Sequence, residues 1–189
     1  MKLNKMFGVL LLTVLFIPRG AFASGSCINY ILDRFSAISQ SDVTKVAQSC
    51  SRNYDDGCVR AVLSRFSSFT LEEACEVARG CSRNEGDACV SSILNKFSSF
   101  TLAQAAQTAH SCKENHGPAC VNYILGRFSS YTLLEANEVA LGCAHNDGDA
   151  CIISVLSRFS SFTMSEAAQW AQGCQSLHPR EPVALDRGM

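Results

Sequence analysis

Ten of the eleven cysteines in this chain lie on two interleaved ladders, each with a step of 31 residues. One ladder is Cys27, Cys58, Cys89, Cys120 and Cys151; the other is Cys50, Cys81, Cys112, Cys143 and Cys174. Strict self-similarity at a period of this length marks a repeat architecture, in which units too small to bury an apolar face alone stack on their neighbours. Whatever one copy builds, the other four must build as well.

Residues 56–81 serve as the example copy. Apolar residues at 58, 59, 62, 63 and 66 form the three-and-four-spaced stripe of an amphipathic helix. Asp56, with Asp87 and Asp149 in later copies, is placed to cap that helix, and Pro118 takes the position once, suited to a first helical turn. A second helix is expected at Thr70-Leu-Glu-Glu73, a capping box in which the hydroxyl accepts an orphan N–H and the Glu reaches back. Thr101…Gln104, Thr132…Glu135, Thr163…Glu166 and the weaker Ser39…Asp42 repeat it. Ile38, Phe69, Phe100, Tyr131 and Phe162 precede these caps as hydrophobic staples. The second helix buries Leu71, Ala74, Val77 and Ala78, and Asn53, Asn84, Asn115 and Asn146 suit the left-handed conformation that ends helices. The fold expected is an all-α solenoid of five antiparallel helical hairpins at 27–50, 58–81, 89–112, 120–143 and 151–174.

Two disulfide schemes fit this frame. One closes each hairpin on itself, bridges cysteines 23 apart and uses all ten. The other bridges successive hairpins, as in Cys50–Cys58, and strands Cys27 and Cys174; counting favours the first. Cys75 is the odd cysteine, either a small residue packed on a buried helix or a thiol able to join two chains as a dimer.

The N-terminus carries Lys2 and Lys5, an apolar run from Met6 to Ile17 and the Ala21-Phe22-Ala23 site, the three parts of a secretory signal peptide with cleavage after residue 23. The run falls short of the roughly 20 residues that span a bilayer, and no later segment is apolar enough. The mature repeat domain is then 24–174, followed by a tail, 175–189, expected to be disordered. Export keeps disulfides oxidised, and the lack of an Asn-x-Ser/Thr sequon favours a bacterial periplasm or exterior.

The inter-hairpin segments Cys81-Ser-Arg-Asn-Glu-Gly-Asp-Ala-Cys89 and Cys143-Ala-His-Asn-Asp-Gly-Asp-Ala-Cys151 share the pattern Cys-x-x-Asn-x-Gly-x-x-Cys. Over residues 27–174 this resembles the cysteine-rich, disulfide-stapled tetratricopeptide-like (SEL-like) repeat proteins secreted by bacteria. The resemblance implies a disulfide within each hairpin and a role as a protein-interaction scaffold. The period of 31 is shorter than that family's, and Phe-Ser-Ser-Phe-Thr stands where its hairpins carry a Gly-rich turn.

Little in the chain suggests chemistry. His110, His116, His145 and His178 form no metal motif, and cysteines seven residues apart are not a zinc spacing. No nucleophile–base constellation, phosphate loop or dinucleotide fingerprint occurs, so no enzyme, cofactor or metal is expected. A net charge of −1 without a basic run argues against nucleic acid. Two surfaces remain for a protein partner or an anionic envelope polymer. One is a basic ladder, Arg34, Arg65, Lys96, Arg127 and Arg158. The other is a copy-to-copy variable face of the first helix, with Tyr30, Arg60, Asn122 and Tyr123 as candidate anchors.

Overall fold

The structure is a computed structural model that describes residues 23–146 and 148–175. The expected signal peptide, through residue 22, and the expected disordered tail, from residue 176, lie outside the described residues. Within them are ten α-helices in five hairpins: α1 Ala23–Leu32, α2 Gln40–Cys50, α3 Gly57–Leu63, α4 Leu71–Gly80, α5 Ala88–Leu94, α6 Leu102–Ser111, α7 Ala119–Leu125, α8 Leu133–Gly142, α9 Ala150–Leu156 and α10 Met164–Gly173. No strand occurs among the described residues.

Odd-numbered helices lead each hairpin and even-numbered helices return. The return helices stack in series, α4 on α6 and α8 on α10, while α3 meets α5 and α7 meets α9. The core lies between the two layers, in buried sets such as Val59, Val62 and Leu63 and their counterparts Val90, Ile93 and Leu94. From the second hairpin onward the leading helices hold only seven residues, shorter than the apolar stripe suggests. Three-residue hydrogen bonds, Arg65 N–H to Val62 O and Phe66 N–H to Leu63 O, tighten the end, so Phe66 packs from the turn and not from the helix.

All five return helices carry complete capping boxes, the Ser39…Asp42 copy included. The leading helices differ from expectation. Asp56, Asp87 and Asp149 precede them with helical backbone and make no side-chain cap, and Pro118 sits one residue before the first turn. Asp56 instead pairs with Arg60, and Asp87 accepts from Ser91.

Each hairpin closes its own disulfide, with Cα atoms 5.7–5.9 Å apart in all five. The bridging scheme between hairpins is thereby excluded. Cys75 is a free thiol with no exposed surface. Because it is fully buried, an intermolecular bridge through it would require the stack to open first.

The junctions between copies use three ladders. Phe35, Phe66, Phe97 and Phe128 each meet the next copy's ring (Phe69, Phe100, Tyr131, Phe162) edge-to-face at 5.7–6.0 Å, so the expected staples serve the stack. Main-chain bonds run loop to loop, from Arg83 N–H to Arg52 O, Glu114 N–H to Arg83 O and His145 N–H to Glu114 O. Arg83, Glu114 and His145 hold the left-handed conformation, one residue before the asparagines to which the sequence assigns it. The buried asparagines do a different job. Asn84, Asn115 and Asn146 donate across each junction to the carbonyls of Ala109, Ala140 and Ala171, near the end of the next return helix. Helix ends leave such carbonyls without intrahelical partners.

Candidate interaction face

The residues singled out by the sequence lie on the leading helices and the turns that follow them. Here the frame holds a fixed register: Tyr30 in the first copy corresponds to Tyr123 in the fourth, and Arg60 in the second corresponds to Ile153 in the fifth. The buried positions beside them barely change between copies, because each must fill the same space. The exposed positions are released from that requirement and vary.

Three candidates converge. The Tyr30 ring lies between two guanidiniums, Arg34 at 4.7 Å and Arg60 at 4.9 Å from its centroid. Arg34 Nη2 also donates to Tyr30 Oη at 2.7 Å. Such cation–π contacts are worth about 0.5–1 kcal/mol each at exposed sites and hold the arginines in place. Arg60 comes from the following hairpin, so the cluster spans the first junction. Its guanidinium also pairs with Asp56, which holds Arg60 above its ordinary arginine value. Beside the cluster runs a groove of about 480 Å³ between α3 and α5, lined by Arg60, Ala61, Ser64, Arg65, Asp87 and Ser91.

The basic ladder is exposed along its whole length, but its members are not equivalent. Arg65 donates to Ala61 O and, across the junction, to Asn95 Oδ1 at 2.7 Å. Arg127 lies over the Phe162 ring at 5.9 Å. Lys96 and Arg158 are exposed and form no ion pair with a described carboxylate. Asn122 hydrogen-bonds Ser92 across the third junction, and Tyr123 is half-buried against the core. The structure thus brings Tyr30, Arg34, Arg60 and Arg65 to one end, and leaves Asn122 and Tyr123 well separated from them in the stack.

The sequence reading missed a second exposed surface. Leu134, 77% exposed, and Leu141, 48% exposed, stand seven residues apart on α8 and share its outer face. Their counterparts in α4 are Glu72 and Arg79, which pair at 3.2 Å. Comparing copies at those two positions, rather than the whole helix, would have found them.

Among the described residues no three His, Cys, Asp or Glu side chains gather as metal ligands would. His145 meets Glu114, and His116 meets Glu85, both on the loop face. Arg83, first, and then His145 hold Glu114 below the ordinary carboxylate range. No described helix is long and apolar enough to cross a membrane. No protein-family model, curated protein or solved structure matches this chain.

Proposed function

We propose that this protein is an exported helical-repeat scaffold that binds another protein and is not an enzyme. The observation that carries this reading is the variable face. Exposed side chains in one register change from copy to copy on a frame whose buried positions and staples repeat. Tyr and Arg, the side chains most often dominant in binding, occupy that face where Tyr30, Arg34 and Arg60 meet. The leader-like N-terminus and five disulfides support export to a periplasm or the exterior, and the stapled hairpins support kinship with the SEL-like secreted scaffolds.

A second reading, binding of an anionic envelope polymer, is favoured by five exposed cations in one register. Retention of envelope components on immobilised, oxidised protein separates the two. The expected outcome is one protein enriched, lost on reduction, lost in Tyr30→Ala with Tyr123→Ala, and kept in Arg65→Ala with Lys96→Ala and Arg127→Ala. Retention only of a salt-sensitive glycan or lipid, abolished by the triple substitution, would overturn the scaffold reading in favour of the polymer.

A further inference from the structure

Over the first four return helices one position alternates: α4 and α8 end in Gly80 and Gly142, whereas α2 and α6 carry Ser49 and Ser111 at the equivalent place, and α10 ends in Gly173, whose absent Cβ would meet nothing. The first two glycines are required by closeness. A Cβ at Gly80 would lie 2.5 Å from Ala106 O, and one at Gly142 would lie 2.3 Å from Ala168 O. No serine fits that approach. The seams α4–α6 and α8–α10 are therefore backbone-to-backbone, and α2–α4 and α6–α8 stand further apart and pack less extensively. The facing residue follows the same alternation, Ala106 and Ala168 at the close seams against Cys75 and Asn137 at the wide ones.

The two wide seams differ in turn. Across α2–α4, Lys45 bonds Glu72 at 3.1 Å and Arg79 donates to Ser49 Oγ at 3.3 Å; Arg79 also pairs with Glu72 within α4. Across α6–α8 the corresponding residues are Gln107, Leu134, Leu141 and Ser111, and none of these stitches forms. Ser111 Oγ donates to Gln107 O in its own helix, as Ser49 Oγ does to Lys45 O, but Ser111 has no arginine opposite it as Ser49 has Arg79. Asn137 lies buried in this seam, only 6% exposed. At the turn side and at the loop end of this junction the usual ties remain: Phe97 against Tyr131, Asn115 to Ala140 O near the end of α8, and His145 N–H to Glu114 O.

We propose that the α6–α8 seam is a built-in hinge, at which the stack opens on its return-helix side while the loop and aromatic ties act as the pin. The device joins two rigid bodies, repeats 1–3 and repeats 4–5, and sets the angle between their exposed faces. Opening uncovers Asn137 and Ser111 beside the exposed Leu134 and Leu141.

Thiol labelling of the oxidised protein tests this, because Cys75 occupies at α2–α4 the register that Asn137 occupies at α6–α8. Asn137→Cys in a Cys75→Ala background gives both seams the same reporter. It is expected to react about five- to tenfold faster than native Cys75, the ratio that loss of two surface stitches supplies. Gln107→Lys with Leu134→Glu, added to that variant, is expected to slow it again. A complementary measurement uses the native thiol: Lys45→Gln with Glu72→Leu is expected to speed Cys75 labelling by a similar factor. Equal rates at the two seams, or labelling of both only at the rate of global unfolding, would overturn the hinge. Unchanged Cys75 labelling in the Lys45→Gln, Glu72→Leu variant would also overturn it, even if Asn137→Cys failed to fold.

Discussion

Repeats 1 and 2 and repeats 4 and 5 share a backbone and present different surfaces. At the first pair, Tyr30 is clasped by Arg34 and Arg60, and Glu72 is tied to Lys45 and Arg79. At the second pair, the same registers hold Tyr123 beside Ile153, and Leu134 and Leu141. Four of the exposed large apolar side chains, Leu134, Leu141, Ile153 and Phe159, lie in repeats 4 and 5. The difference teaches that the frame is specified by its buried positions and its helix caps, not by the rest of its outer face. Cysteine, small alanine and branched aliphatic residues recur because each fills a fixed space, and the charge state of the outside is free to change without altering the fold.

The largest effect should come from attacking what the two pairs have in common. Closing a loop of this length is worth about 3 kcal/mol per bridge in the chain-entropy account, so five bridges are large against a typical domain stability of about 5–15 kcal/mol. Full reduction is expected to abolish cooperative thermal unfolding, seen as loss of the sigmoidal helix signal. A melt unchanged by reductant would break the claim that both halves depend on one staple. The bridges should also fall in order. Cys151 is exposed and Cys174 half-buried among the described residues, whereas the cysteines of the other four bridges are 6% exposed or less. Differential alkylation and mass spectrometry under limiting reductant should find Cys151 and Cys174 modified first.

Next in size is the aromatic ladder. Phe128 meets Phe162 of the following copy, whereas Phe159 meets Trp170 of its own. Trp170 stands where other copies bury Val46, Val77, Thr108 or Val139, and it stacks on Phe159 at 4.5 Å. Trp170 also meets Phe162 at 5.8 Å, so one side chain packs on both rings of the last copy. Phe128→Ala is expected to cost about 2–3 kcal/mol and Phe159→Ala about 1 kcal/mol, read from denaturant midpoints at constant slope. Equal losses would mean that the end of the stack is as tightly packed as its middle.

The architecture was legible because its signals are local and repeated five times. The cysteine step gave the period, and Thr-x-x-Glu gave the start of each return helix through a hydrogen bond only three residues long. What stayed hidden concerns contacts between copies. Asn84 reads as a helix terminator because asparagine tolerates that backbone, but it is needed for the Ala109 carbonyl it meets across the junction. Asp87 reads as a cap because it precedes a helix, but its backbone is already helical and its carboxylate faces Ser91. Gly80 and Gly142 look like ordinary helix ends until the neighbouring Ala106 and Ala168 carbonyls are placed. The Tyr30 cluster was half legible: each residue could be named, but its assembly from two hairpins required the fold.

Exchanging the two surfaces should sharpen the comparison at little energetic cost. Leu134→Glu with Leu141→Arg gives repeat 4 the outer face of repeat 2. Both sites are exposed, so stability is expected to change by no more than about 0.5 kcal/mol. If partner retention falls while the melting temperature holds, the apolar half is part of the binding surface. A large loss of stability would show that these leucines support the frame after all.

The smallest expected effect is also the most local, and it separates the third repeat from those on either side. Glu73, Glu135 and Glu166 accept from the N–H and then the hydroxyl of Thr70, Thr132 and Thr163, and these bonds hold each carboxyl below the ordinary glutamate value. Asp42 is lowered in the same way by the Ser39 hydroxyl first and its N–H second. Since the folded value lies below the unfolded one, the contribution to stability is present above the ordinary carboxylate range of about 4 and is lost as pH falls through the depressed values. In the third repeat Thr101 N–H donates at 2.8 Å to the amide oxygen of Gln104, which has no proton to gain. Acidification should therefore shift the amide resonances of Thr70, Thr132 and Thr163 and leave that of Thr101 in place. Gln104→Glu should bring Thr101 into line with the others, and Glu73→Gln should remove Thr70 from the titrating set. A Thr101 amide that moves with the rest in the unsubstituted protein would mean that acid is loosening the stack as a whole, not releasing four caps one by one.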